Sequence, residues 1–190
     1  MTCNITYDEL LECFKSRQLN SKTNNMIIIG DGLNKIVNEI PKTTGVSFID
    51  NDINVDIAIN IKIDLSKIAV SDILTYALNY LKQLNLVDDN YTLSFDNKFV
   101  LLNFNSILQK YNLVIQLIFY NIEELSIEEQ MLFNELYYFK SFNSSYFNII
   151  SLTNNHFKTY FLTNNRVLDS REDYQRYEVV KPYILIKKNN

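Results

Sequence analysis

The chain has 190 residues, 47% of them hydrophobic and 21% charged, a balance that fits one globular domain and excludes a disordered chain. Its 3 Gly and 2 Pro exclude collagen-like and low-complexity sequence, while 13 Tyr and 12 Phe supply bulky side chains for a sizeable core. A net charge of −4 argues against a wholly basic nucleic-acid binder, and with no apolar run near the ~20 residues of a membrane helix the expectation is a soluble cytoplasmic protein.

Thr6-Tyr7-Asp8-Glu9 has the spacing of a capping box, in which the threonine hydroxyl accepts from the backbone and the glutamate reaches back. Leu10, Leu11 and Phe14 continue it as a short helix to about Arg17, followed by a polar linker from Gln18 to Asn25. Met26–Ile29 is a continuous apolar run ended by Gly30, the pattern of a strand buried on both faces. Leu33, Ile36, Val37 and Ile40 then recur at helical spacing up to Pro41. Gly45–Asp50 reads as a strand. From Ile53 to Ile63 every odd position is Ile or Val, which predicts a strand with one buried and one polar face. Ser71-Asp72 is placed to cap a helix whose stripe is Ile73, Leu74, Ala77, Leu78, Leu81 and Leu84. Tyr91–Phe95 and Phe99–Leu102 flank a polar Asp96-Asn97-Lys98 turn and predict a hairpin.

Leu113–Tyr120 and Phe147–Leu152 are two further buried-type strands. Between them Ser126-Ile127-Glu128-Glu129 is a second capping box, opening a helix through about Phe139. A strand at Tyr160–Leu162, a helical turn near Arg171 and a strand at Tyr183–Ile186 complete the pattern. Buried strands alternating with helices predict one α/β domain over residues 1–190, with a mainly parallel sheet and flanking helices. Residues 64–112 read as a helical extension and hairpin within it.

Ligands of open α/β sheets bind beyond the carboxyl ends of the strands. After the first buried strand comes Gly30-Asp31-Gly32-Leu33-Asn34-Lys35, which lacks the Gly-Lys-Ser/Thr of a phosphate loop and the third glycine of a dinucleotide fingerprint. Asp31 also repels a phosphate, so ordinary turn chemistry accounts for the glycines. After Tyr120 comes Asn121, a neutral residue where a nucleotide hydrolase carries its magnesium-binding acid. Glu123 and Glu124 follow it, and Thr153-Asn154-Asn155 end the third buried strand. The ends have the layout of a phosphate-loop NTPase without its catalytic groups, a degenerate head. There is no Gly-x-Ser-x-Gly nucleophile elbow, and His156 is the single histidine. Cys3 and Cys13, the two cysteines, make no four-ligand zinc set with it. Asp88, Asp89 and Asp96 bracket the predicted hairpin and are the candidate ligands for a calcium ion, which favours oxygen donors in irregular loops. Solvated turn acids are the competing account.

Charge is unevenly placed. Residues 156–190 hold seven Lys/Arg against four acids, a net +3, which leaves −7 on residues 1–155. A basic segment on an acidic body makes a local surface for phosphates.

Four stretches carry a family likeness: Met26–Asp31, Ile59–Asp64 with Ser71–Leu81, Leu117–Asn121 with Leu125–Glu129, and Lys181–Ile186. In this order they resemble the ring-forming DNA-end-binding protein of the adaptation module in type II-A CRISPR systems, in a short variant. The resemblance implies a non-catalytic protein with a phosphate-loop-like head and a helical extension. It implies a homotetrameric ring, supported by calcium, whose basic inner surface holds double-stranded DNA ends. It also implies spacer acquisition alongside the adaptation integrase and the effector nuclease. Lys140, Lys158, Arg166, Arg171 and Arg176 are the candidate phosphate contacts, with Asp88, Asp89 and Asp96 for calcium. Two alternatives stand beside it: a divergent NTPase or nucleotide-binding switch using Gly30–Lys35 and Glu123 or Glu124, and a structural or phage-type interaction protein.

Overall fold

A computed structural model of the chain describes residues 8, 10, 17–19, 25–29, 33–48, 53–93, 100–134, 136, 146–153, 177–181 and 184–187. Among the described residues eight strands form one sheet: β1 (Arg17–Leu19), β2 (Asn25–Ile29), β3 (Thr43–Phe48), β4 (Ile57–Asp64), β5 (Ile115–Tyr120), β6 (Phe147–Thr153), β7 (Tyr177–Lys181) and β8 (Ile184–Lys187), in the order β1-β3-β4-β5-β6-β2-β8-β7. The central strands β4, β5, β6 and β2 are mutually parallel. The antiparallel pairs, β3 with β4, β2 with β8 and β7 with β8, lie toward the flanks. This is the expected α/β class with a parallel centre, although the sheet as a whole is mixed. Chain length between strands explains two of these three antiparallel pairs. Eight residues join β3 to β4 and two join β7 to β8, too few for the dozen or more a parallel crossover needs.

Helices α1 (Leu33–Ile36), α2 (Ile73–Gln83), α3 (Val100–Lys110) and α4 (Ile127–Asn134) cover the sheet from both sides. On one face Ile59, Ile61 and Ile63 of β4 join Leu117, Phe119, Phe147 and Ile149 beneath the buried stripes of α2 and α3. Phe104 meets Phe147 edge to face at 5.7 Å, and Phe133 of α4 meets Phe119 at 4.8 Å, geometries that suit the aromatic quadrupole. On the other face Ile28, Ile118, Ile150 and Leu152 pack against Leu33, Val37, Ile40 and Leu10.

The alternation in β4 predicted a polar outer face, but Ala58 and Asn60 are buried as well. The sheet is covered on both sides, so the polar positions there need partners inside the protein. They find one another. The Asn60 amide donates to Pro41 O and to Thr44 Oγ1, both at 2.9 Å. Gln116 Nε2 donates to Asn60 Oδ1 at 2.9 Å, and Asn148 Nδ2 to Gln116 Oε1 at 3.4 Å. Asn60, Gln116 and Asn148 are direct partners in the strand register, so the amides form a row across three strands.

The predicted hairpin is corrected. Val100–Leu102 open α3, in which Leu101, Phe104, Ile107 and Leu108 form the buried stripe. A short apolar run fits a strand or the first turn of an amphipathic helix equally well, and the stripe that follows decides for the helix. β1 is also corrected, from the end of a helix and the start of a linker to a three-residue strand beside β3. β7 was not foreseen.

Helix ends follow from a scarcity of glycine. Asn85 and Asn112 have φ of 59° and 52°. After α2, the N–H groups of Asn85 and Leu86 donate to Lys82 O and Leu81 O at 2.9 and 3.0 Å. After α3, those of Asn112 and Leu113 donate to Gln109 O and Leu108 O at 3.1 and 2.9 Å. Both are Schellman motifs with asparagine in the left-handed position that glycine most often fills. At the start of α4 half of the predicted box forms: Glu129 N–H donates to Ser126 Oγ at 3.2 Å, and Glu129 Oε1 accepts from the Ser126 hydroxyl, also at 3.2 Å, where the box has it accept from the backbone N–H. The expected Asp72 cap does not. A short 3-10 turn, Val70–Asp72, leads into α2 and gives Asp72 helical geometry, without a side-chain cap bond. No helix among the described residues is long and apolar enough to cross a membrane.

Candidate functional site

The four parallel strands direct their carboxyl ends to one edge of the sheet, where helix-flanked α/β sheets place ligands. β4 ends at Asp64. The next residues turn back on it, with Lys67 and Ile68 N–H donating to Asp64 O at 3.0 and 2.9 Å. Ser66 donates to Asp64 Oδ1 through its backbone N–H at 3.0 Å and its hydroxyl at 2.6 Å. This is the turn that an Asp-x-Ser sequence favours. From the neighbouring strand end Asn121, left-handed at φ 59° and ψ 33°, donates Nδ2 to the same oxygen at 2.7 Å. One carboxylate oxygen therefore accepts three hydrogen bonds.

Burial pushes the Asp64 carboxyl up, but the Ser66 and Asn121 hydrogen bonds and the Lys67 charge outweigh it and hold the group below its ordinary value. Its cross-strand partner Tyr120 is pushed up by burial first, then by the charge of Asp64 and by Tyr76. Lys62 precedes Asp64 by two residues on the same face of β4. Its ammonium donates to Asn38 O at 3.3 Å, and partial burial lowers its affinity for a proton. At the end of β6, fully buried Thr153 donates Oγ1 to Glu123 Oε2 at 3.3 Å. Register places Ile29, the last residue of β2, beside Thr153.

The edge is a row of polar groups that bond to one another: Asp64 with Ser66 and Asn121, and Glu123 with Thr153. Asn121 stands at the strand end as expected, and its role is to donate to a neighbouring acid. Asp64 and Ser66 were missed as site residues. The available signal was the acid ending the alternating run of β4, two residues before a serine.

Other predicted residues lie elsewhere. Asp88 and Asp89 are exposed in the loop after α2. Asp88 Oδ1 accepts the Asn90 N–H at 3.0 Å, and the Asp88 N–H donates to Tyr111 Oη at 3.3 Å. Among the described residues no group of three or more His, Cys, Asp or Glu side chains is close enough to hold a metal ion. Asp96, Lys140, Lys158, Arg166, Arg171 and Arg176 lie outside the described residues, as do Gly30–Gly32, His156, Cys3 and Cys13. Compared with known proteins, the chain matches no family model, no curated protein and no solved structure.

Proposed function

We propose that this chain is a non-catalytic, oligomeric protein that binds the ends of double-stranded DNA and serves CRISPR spacer acquisition. The observation that carries the reading is the carboxyl edge of the central strands. There Asn121 replaces an acid and, with Ser66, saturates one oxygen of Asp64, an arrangement suited to holding strand ends together rather than to activating a phosphate. The family resemblance and the +3 segment from residue 156 onward supply the DNA. Binding is directed to the backbone: Lys140, Lys158, Arg166, Arg171 and Arg176 neutralise phosphates and release counterions, which makes affinity fall steeply with salt and indifferent to sequence. The ring is a homotetramer that works with the adaptation integrase and the effector nuclease. Calcium, held by Asp88, Asp89 and Asp96, supports its assembly.

The test measures solution mass with and without calcium, then retention of linear and closed circular duplex. A ring that threads onto ends retains the linear form and passes the closed one. Equal retention of both, or unchanged affinity at low salt in an Arg166→Glu/Arg171→Glu variant, refutes the reading.

A nucleotide-binding switch is the second reading, favoured by the position of β2. The first of the four parallel strands lies inside the sheet between β6 and β8, and its last residue, Ile29, is in register with Thr153, whose hydroxyl donates to Glu123. ATP binding that is lost on Lys35→Ala decides for the switch.

A further inference from the structure

At the opposite end of the sheet, where β4 and β5 begin, lies a cavity of about 440 Å³. Seven residue steps of β4, about 23 Å at ~3.3 Å per residue, separate Ile57 at this end from Asp64 at the other. Ile57, Ile59, Leu84 and Leu113 line the cavity. Ile57 is 51% and Leu84 41% exposed, so large apolar side chains face an open concave surface. Volumes of about 300–1,000 Å³ are those of small-molecule sites. These walls are mostly hydrocarbon, so the volume suits an apolar ligand of about a dozen non-hydrogen atoms.

The polar residues of the lining are few. Among the described residues Lys42 is the one charged residue of the lining, and it is exposed with no hydrogen-bond or ion-pair partner for its ammonium. Tyr80, Thr43 and Asn112 complete the set, and Asn112 Nδ2 is already committed to Asn54 O at 3.3 Å. A hydrocarbon wall beside a cation that has no partner among the described residues is complementary to an amphipathic anion. We propose that this cavity is a binding site for an amphipathic monoanion, a medium-chain carboxylate whose tail lies against Ile57, Ile59, Leu84 and Leu113 and whose head pairs with Lys42. The site is independent of the carboxyl edge and of the reading given to it.

Decanoate and its uncharged counterpart decanol, both below their aggregation range, test the proposal by calorimetric titration of the full chain. The expected result is saturable binding of one decanoate per chain with Kd below about 1 mM, and weaker binding of decanol. Lys42→Glu, at an exposed position, weakens decanoate by about fivefold or more and leaves decanol unchanged. Leu84→Asp weakens both by about tenfold, with circular dichroism confirming that each variant folds. Absence of saturable binding overturns the proposal, as does decanol binding as tightly as decanoate, or affinities unmoved by either substitution. A Leu84→Asp variant that turns an oligomer into a monomer also overturns it, by showing that a second copy covers the cavity.

Discussion

Replacing Gln116 by methionine isolates the amide row from the rest of the core. The side chain is fully buried and keeps nearly the same shape as a thioether, so packing loss is small. Hydrogen bonding is not conserved. Asn60 Oδ1 loses its donor at 2.9 Å, and Asn148 Nδ2 loses its acceptor at 3.4 Å. Each buried polar atom left without a partner costs about 1–3 kcal/mol. The long second contact was weak to begin with, which places the total at about 2–4 kcal/mol. Against a global stability of about 5–15 kcal/mol this is a large loss. In urea, with m about 2–3 kcal/mol/M for a chain of this size, it lowers the unfolding midpoint by roughly 1–2 M at unchanged m. A second variant separates hydrogen bonding from packing. Asn148 Oδ1 has no hydrogen-bond partner among the described residues, so adding Asn148→Leu to Gln116→Met removes two orphaned atoms together. The double variant is therefore more stable than the single one, a favourable coupling of about 1–2 kcal/mol. A Gln116→Met cost below about 1 kcal/mol, or a double variant less stable than the single, refutes the account.

Three further outcomes are expected. The Asp64 carboxyl is held below its ordinary value, so its contribution is fully present above the unfolded value of about 3.9 and fades as pH falls through the folded one. The urea midpoint difference between wild type and Asp64→Asn is thus steady from neutral pH to about pH 5 and shrinks below pH 4; a difference that widens in acid contradicts this. Lys62 is lowered by burial, so folding disfavours its charged form, and stability rises as pH climbs from the folded value toward the unfolded ~10.4. Lys62→Met is accordingly at its most favourable relative to wild type at neutral pH, an advantage that declines in alkaline urea titrations. At Asn85, exposed and left-handed, glycine leaves thermal stability within about 0.5–1 kcal/mol whereas valine costs about 1–2 kcal/mol; equal effects of the two remove the conformational argument.

Much of the candidate edge was legible as strand ends. Asn121, Glu123 and Thr153 each follow or close an apolar run that becomes a parallel strand, and their neutral or carboxylate chemistry was readable directly. Their pairings were not. Asn121 and Asp64 are 57 positions apart and Thr153 and Glu123 are 30 apart, distances along the chain that no local pattern spans. The amide row left a fainter trace: one amide near the start of each of two largely apolar runs, Gln116 and Asn148. Only the register that sets Asn60, Gln116 and Asn148 side by side turns three separate polar residues into one structure.

By itself the order of residues determined the α/β class, the buried strands and most helices, because a 3.6-residue or two-residue hydrophobic period is a local property that each segment carries alone. Tertiary structure decided the rest. It converted a supposed hairpin strand into the opening turn of α3, inserted β2 between β6 and β8, and buried both faces of β4. It also left a hydrocarbon-walled hollow beside Lys42. These outcomes depend on which surfaces meet, and the free energy of burying one face against another is not stored in any single segment.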